Sequence, residues 1–173
     1  MKLPIRVILI ATIASVTLAA CASKTKPTPV ASDTGTQTTT TTTPPSNTGT
    51  YSVGDLDTDS CLRQRIVYFD FNMTDIKPQF QAAISCHAKY LRQFPGARVT
   101  LEGNADERGT REYNLGLGER RGNAVSGALG SAGASASQLN TVSYGEERPV
   151  CKEHTEDCWQ KNRRVEIVYT AKQ

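Results

Sequence analysis

The chain has 173 residues and a formal net charge of +3, from 20 Lys and Arg against 17 Asp and Glu. Lys2 and Arg6 are the only charged residues before Cys21, so the remainder carries 18 cations against 17 anions, a net charge near +1. That balance points to neither nucleic-acid binding nor a general attraction to anionic lipid.

Residues 1–20 read as an export signal: Lys2 and Arg6, an apolar run from Val7 to Ala20, and small residues before a cut site. The run of 14 residues is shorter than the ~20 needed to span a bilayer. Leu18-Ala19-Ala20-Cys21 resembles the bacterial lipobox. That resemblance implies acylation of Cys21, which becomes the first mature residue and sits in outer-membrane lipid; Ala22, in place of an aspartate, fits that address. Two or three acyl chains anchor stably where one is marginal.

Residues 21–60 are expected to form a disordered tether. They hold the run Thr38 to Thr43, then Pro44-Pro45, and almost no large apolar residue before Tyr51. Such a segment buries too little area to offset the entropy of ordering it. Residues 61–171 then make one domain, roughly 110 residues, enough for a modest core.

Within it, Arg65 to Phe71 is rich in β-branched and aromatic residues and reads as a strand. A helix capped by Thr74 or Asp75 follows, with Ile76, Phe80, Ile84, His87 or Ala88, and Leu91 on one stripe. Pro95-Gly96 ends it, and Ala97 to Gly103 alternates as a second strand. After a polar loop, Thr110 caps a helix over Arg111 to Leu129, whose repeated glycines weaken it unless they permit close packing. Leu139 to Tyr144 is a third strand, a polar loop with a helical turn near Trp159 follows, and Arg164 to Tyr169 is the last strand. The order βαβαββ predicts an α+β sandwich with helices on one face of a four-stranded mixed sheet.

Four cysteines remain besides Cys21. An even number in an exported chain points to two disulfides, with Cys151–Cys158 favoured by proximity and Cys61–Cys86 left as the second; three pairings are formally open. A zinc site from Cys151, His154 and Cys158 is the weaker alternative, since structural zinc wants four closed ligands. No cofactor motif is present.

Five segments carry a family resemblance: Val67 to Phe71, Gly103 to Asn114, Leu117 to Arg121, Ser143 to Pro149 and Lys161 to Arg164. In this order, over about residues 65 to 170, they resemble the OmpA-like peptidoglycan-binding domain. The resemblance implies non-covalent binding of peptidoglycan stem peptide, with Asp106 and Arg121 holding the ammonium and carboxylate at the end of diaminopimelate. A carboxylate accepts from an ammonium and a guanidinium grips a carboxylate bidentately. It further implies that Asp70 and Phe71 line the groove, and that Arg108, Thr110 and Asn114 contact ligand. Asn104 stands where the family usually has histidine, so pH dependence resting on that histidine should be absent. The lipoprotein layout implies membership of the Tol envelope system, with a periplasmic β-propeller partner. Arg163 and its neighbours read as structural. The rival readings are a general wall-anchoring lipoprotein outside the Tol system and, more remotely, a wall-acting enzyme using Asp70, Asp106 or Glu102, for which no catalytic set is recognisable.

Overall fold

The computed structural model describes residues 49–173. The signal segment, Cys21 and the Thr-rich stretch lie outside the described residues. Order begins earlier than expected. Tyr51 and Leu56 are buried, and α1 (Asp55–Thr58) forms a short turn before the first strand. The tether expected up to residue 60 therefore gives way to the folded domain by Tyr51. Two isolated apolar anchors in polar surroundings suffice, because each packs on the distant Tyr90 cluster rather than on its sequence neighbours.

The strands are β1 (Ile66–Tyr68), β2 (Arg98–Asn104), β3 (Leu139–Gly145) and β4 (Arg164–Ala171). They form one sheet in the order β1-β4-β2-β3. β4 runs antiparallel to both β1 and β2, while β2 and β3 are parallel, linked through α3 (Arg111–Ser131). β1 is shorter than the predicted strand: Phe69 N–H still bonds Arg163 O, the next pair in register, but the Phe69 carbonyl accepts from the side chains of Gln160 and Arg163.

The helix α2 (Gln81–Gln93) starts later than predicted. Neither Thr74 nor Asp75 caps it; a 3₁₀ turn over Pro78–Phe80 leads into it instead, with proline at a position that needs no N–H. Ile84, Ala88 and Leu91 of α2 and Val125 and Leu129 of α3 bury against Val67, Val99, Leu101, Val165 and Ile167. These strand residues share one face, as the pairs Leu101↔Ile167 and Val67↔Val165 show. Alternate residues such as Thr100 and Glu102 lie on the other, half-buried face, the pattern of a sheet covered on one side. Each fully buried aliphatic side chain contributes ~1.5–3 kcal/mol.

Two helix glycines let α3 sit very close to the sheet. A Cβ at Gly118 would lie 2.4 Å from Ser143 Oγ, and one at Gly122 2.5 Å from Thr141 Cγ2. On the strand side, a Cβ at Gly103 would fall 1.9 Å from Gly118 O. Gly127, by contrast, faces open space. This contact fixes the height of α3 above β2, and with it the position of Arg121.

Both disulfides are present: Cys61–Cys86 ties the segment before β1 to α2, and Cys151–Cys158 closes the loop leading into α4 (Glu156–Asn162). With Cys151 and Cys158 joined to each other, the zinc alternative falls.

Candidate functional site

The C-terminal end of β2, the start of α3 and the segment after β1 converge on one cavity of about 230 Å³. Its lining is Phe71, Asn72, Asp106, Arg108, Gly109, Tyr113, Leu117 and Arg121. The loop after β2 delivers Asp106 and Arg108, and Gly109, at φ 119°, turns the chain into α3. Thr110 accepts from Tyr113 N–H at 3.2 Å and caps the helix.

Arg121 is fully buried. Its Nε donates to Met73 O at 2.9 Å, Nη1 to Asn104 O at 2.9 Å and Nη2 to Asp70 O at 3.0 Å. It forms no ion pair among the described residues, it lines the cavity, and two of its five N–H groups lie outside these three bonds. Burial pulls its pKa down to about 10, with the nearby Asp106 opposing, so it stays cationic at neutral pH. A buried cation held only by neutral carbonyls is an unmet demand for an anion.

Asp106 is also buried, but its charge is answered within the protein. Oδ1 accepts from Arg108 N at 3.1 Å and Arg108 Nε at 3.2 Å. Oδ2 accepts from Arg108 Nη2 at 2.7 Å and Arg163 Nη1 at 3.0 Å. Burial pushes the carboxyl upward, yet these arginine bonds outweigh it and hold it below the ordinary carboxylate range. Arg163 is itself buried, donating to Phe69 O as well, which bears out its structural reading.

Arg108 is the partly exposed member: about a third of its side chain is exposed. Its guanidinium carbon lies 4.1 Å from the Phe71 ring centroid and 4.2 Å from that of Trp159. Nη1 also reaches Glu156 Oε2 at 3.4 Å. Trp159 Nε1 in turn donates to Glu107 Oε1 at 2.8 Å, and His154 bonds the same carboxylate.

The structure brings together Asp106, Arg108, Arg121 and Phe71 of the expected set. Four others have partners of their own in the fold. The Asp70 carboxylate turns outward to Lys77, and only its carbonyl serves the site. Thr110 caps α3 through its hydroxyl oxygen. Asn114 is buried with its amide on Glu146, away from the cavity lining. Asn104 is buried beneath the site, its side-chain N–H donating to Glu102 O at 2.9 Å and its backbone carbonyl accepting from Arg121. Tyr113 and Asn72, whose side chains bond each other at the cavity wall, were missed. A tyrosine in the first turn of a helix and an asparagine just after a strand, the residue type that tolerates the left-handed φ of 56° seen at Asn72, are the signals that could have found them. A wider cavity of about 700 Å³ between Tyr68, Lys77, Phe80 and Lys161 holds none of the expected residues.

A four-stranded mixed sheet with helices on one face, ending in an arginine–aspartate cavity, defines the class, and residues 68–163 match the OmpA family model. The chain is 47% identical over 121 residues to a peptidoglycan-associated lipoprotein of Haemophilus influenzae, covering 70% of this chain and 76% of that one. The counterpart from Pseudomonas putida is 50% identical over 123 residues, covering 70% and 73%. A crystal structure of the peptidoglycan-associated lipoprotein from Burkholderia pseudomallei superposes with TM-score 0.66 at 43% identity, over 69% of this chain and 100% of that one. The C-terminal domain of Helicobacter pylori MotB shares the fold, with TM-score 0.56 at 23% identity over 61% and 82%. The chain belongs to the OmpA family and, within it, to the peptidoglycan-associated lipoproteins.

Proposed function

We propose that this protein is a non-catalytic tether between the outer membrane and the cell wall. Acyl chains on Cys21 hold it in outer-membrane lipid, and its periplasmic domain grips peptidoglycan. The cavity takes the diaminopimelate side chain of the stem peptide, its carboxylate on Arg121 and its ammonium on Asp106. The observation that carries this reading is the buried Arg121 guanidinium, held by three carbonyls and facing a cavity opposite a carboxylate. Lysine has the ammonium without the carboxylate, so Arg121 is where discrimination arises. A Tol-system β-propeller partner and a role in envelope integrity at division accompany the family.

Binding rather than hydrolysis also suits the carboxylates. Asp106 is kept ionised by its arginines, so it is a poor proton donor. Asp70, exposed and paired with Lys77, points away from the cavity.

The test is calorimetric titration with a tripeptide ending in meso-diaminopimelate and with its lysine analogue. Wild type should prefer the first by about tenfold or more, one charge-assisted contact's worth, and Arg121→Lys should lose that preference with the fold intact by circular dichroism. An unchanged ratio in Arg121→Lys would sink the assignment.

A further inference from the structure

Asp106 has no free place for a ligand ammonium. A carboxylate offers about four acceptor positions, and here all are taken, three by Arg108 and one by Arg163. Arg163 is buried and tied by other bonds to Phe69 O and Gln160, so it cannot leave. Arg108 can. Its side chain is partly exposed, borders the cavity and lies against two aromatic rings. It also has a second carboxylate, Glu156, within ion-pair distance.

Resting on the diaminopimelate reading, we propose that Arg108 is a built-in competitor for the ligand's ammonium and leaves the specificity of the site to the carboxylate on Arg121. Its guanidinium occupies on Asp106 the place the ammonium must take. Binding is an exchange: the ligand carboxylate docks on Arg121, Arg108 releases the Asp106 side chain, and the ammonium replaces it. Phe71, Trp159 and Glu156 hold the displaced guanidinium, so it does not go to bulk water. The exchange trades one cation for another beside Asp106, so the ammonium adds little net affinity in wild type. A ligand with the carboxylate alone leaves Arg108 in place. Discrimination by the ammonium is therefore suppressed while Arg108 is present, and discrimination by the carboxylate is not.

Three tripeptides separate the contributions: one ending in meso-diaminopimelate, one in 2-aminopimelate, which keeps both carboxylates but lacks the distal ammonium, and the lysine analogue. Arg108→Met keeps an apolar stem against Phe71 and Trp159 while removing the competing charge. The affinity ratio of diaminopimelate to aminopimelate tripeptide should rise about tenfold over wild type, the worth of a charge-assisted bond no longer offset by Arg108. Loss of a cation near the carboxylates weakens both ligands alike and cancels in the ratio. A second reading needs no mutation: in ¹⁵N spectra of wild type, the Arg108 Nε–H signal should move on saturation with diaminopimelate tripeptide and stay put with aminopimelate tripeptide. An unchanged or smaller ratio in Arg108→Met, or an Arg108 signal that responds to both ligands equally, would overturn the proposal. If wild type showed no preference for diaminopimelate over lysine, the site reading itself would fall, and this proposal with it.

Discussion

The contact between Gly103 and Gly118 makes a sharp prediction about how the site is held. In Gly103→Ala the new methyl would fall 1.9 Å from Gly118 O and 2.6 Å from its carbonyl carbon. Both are helix backbone, so no side-chain rotation relieves the clash. Restoring an ordinary separation requires α3 to rise by about 1.5 Å over this part of the sheet. Overpacking of this severity costs about 3 kcal/mol. Arg121 lies one turn beyond Gly118 and rises with it, stretching its bonds to Asp70, Met73 and Asn104. Gly127→Ala is the internal control, on the same helix with nothing within 4 Å of the added methyl. It should stabilise by up to about 1 kcal/mol through helix propensity alone. Denaturant unfolding of the three proteins, with tripeptide titration at a temperature where all are folded, gives both readouts. Gly103→Ala with stability within about 0.5 kcal/mol of wild type and full binding would refute the reasoning.

Two further predictions concern stability. His87 is fully buried between Tyr169 and Gln64 O, and burial pulls its pKa from 6.5 to about 4. The unfolded chain then binds the proton first, so His87 costs nothing above about pH 6.5 and subtracts up to about 3 kcal/mol as pH falls to 4. His87→Gln should flatten the pH dependence of unfolding over that window by this amount, and an identical slope in both proteins would exclude the assignment. The disulfides should differ in kind. Replacing Cys61 and Cys86 by serine, at a separation of 25, should cost about 3 to 4 kcal/mol and spare tripeptide binding. Replacing Cys151 and Cys158, at a separation of 7, should cost about 2 kcal/mol and also weaken binding, because their loop leads into Glu156 and Trp159 beside Arg108. Thermal unfolding and titration of the two double variants would expose any reversal of that order.

Most of the scaffold was legible because its elements carry their own periodicity. Val99, Leu101 and Gly103 alternate inward on β2, and Ile84, Ala88 and Leu91 recur at helical spacing on α2. What stayed hidden depends on long-range partners. Tyr51 and Leu56 are single apolar residues in a polar stretch, with no pattern to show that they pack on Tyr90 and its neighbours. Thr74 and Asp75 offered a plausible cap that the 3₁₀ turn at Pro78 made unnecessary. At the site, Asp106 and Arg121 were found through their motif. Their unequal states were not, since nothing local says that one is saturated by Arg108 and Arg163 while the other lacks an anion. Asp70 hides a similar inequality: its carbonyl reaches Arg121 while its carboxylate pairs with Lys77.

The early start of the fold has a mechanical consequence. Tyr51 is fastened beside the C-terminal end of α2, its N–H on Gln93 Oε1 at 2.9 Å and its ring near Tyr90, whose hydroxyl bonds Lys172 O. That is the end of the sheet where β2 begins, with Arg98 paired to Ala171, while the cavity lies past Asn104 at its other end. A load between chain entry and cavity thus runs lengthwise along the central strands over about 20 Å. The β2–β4 and β2–β3 ladders stand across that line and are strained together in shear, instead of being peeled apart rung by rung. The domain is oriented like a lap joint, strongest in the direction in which a membrane and a wall would pull it.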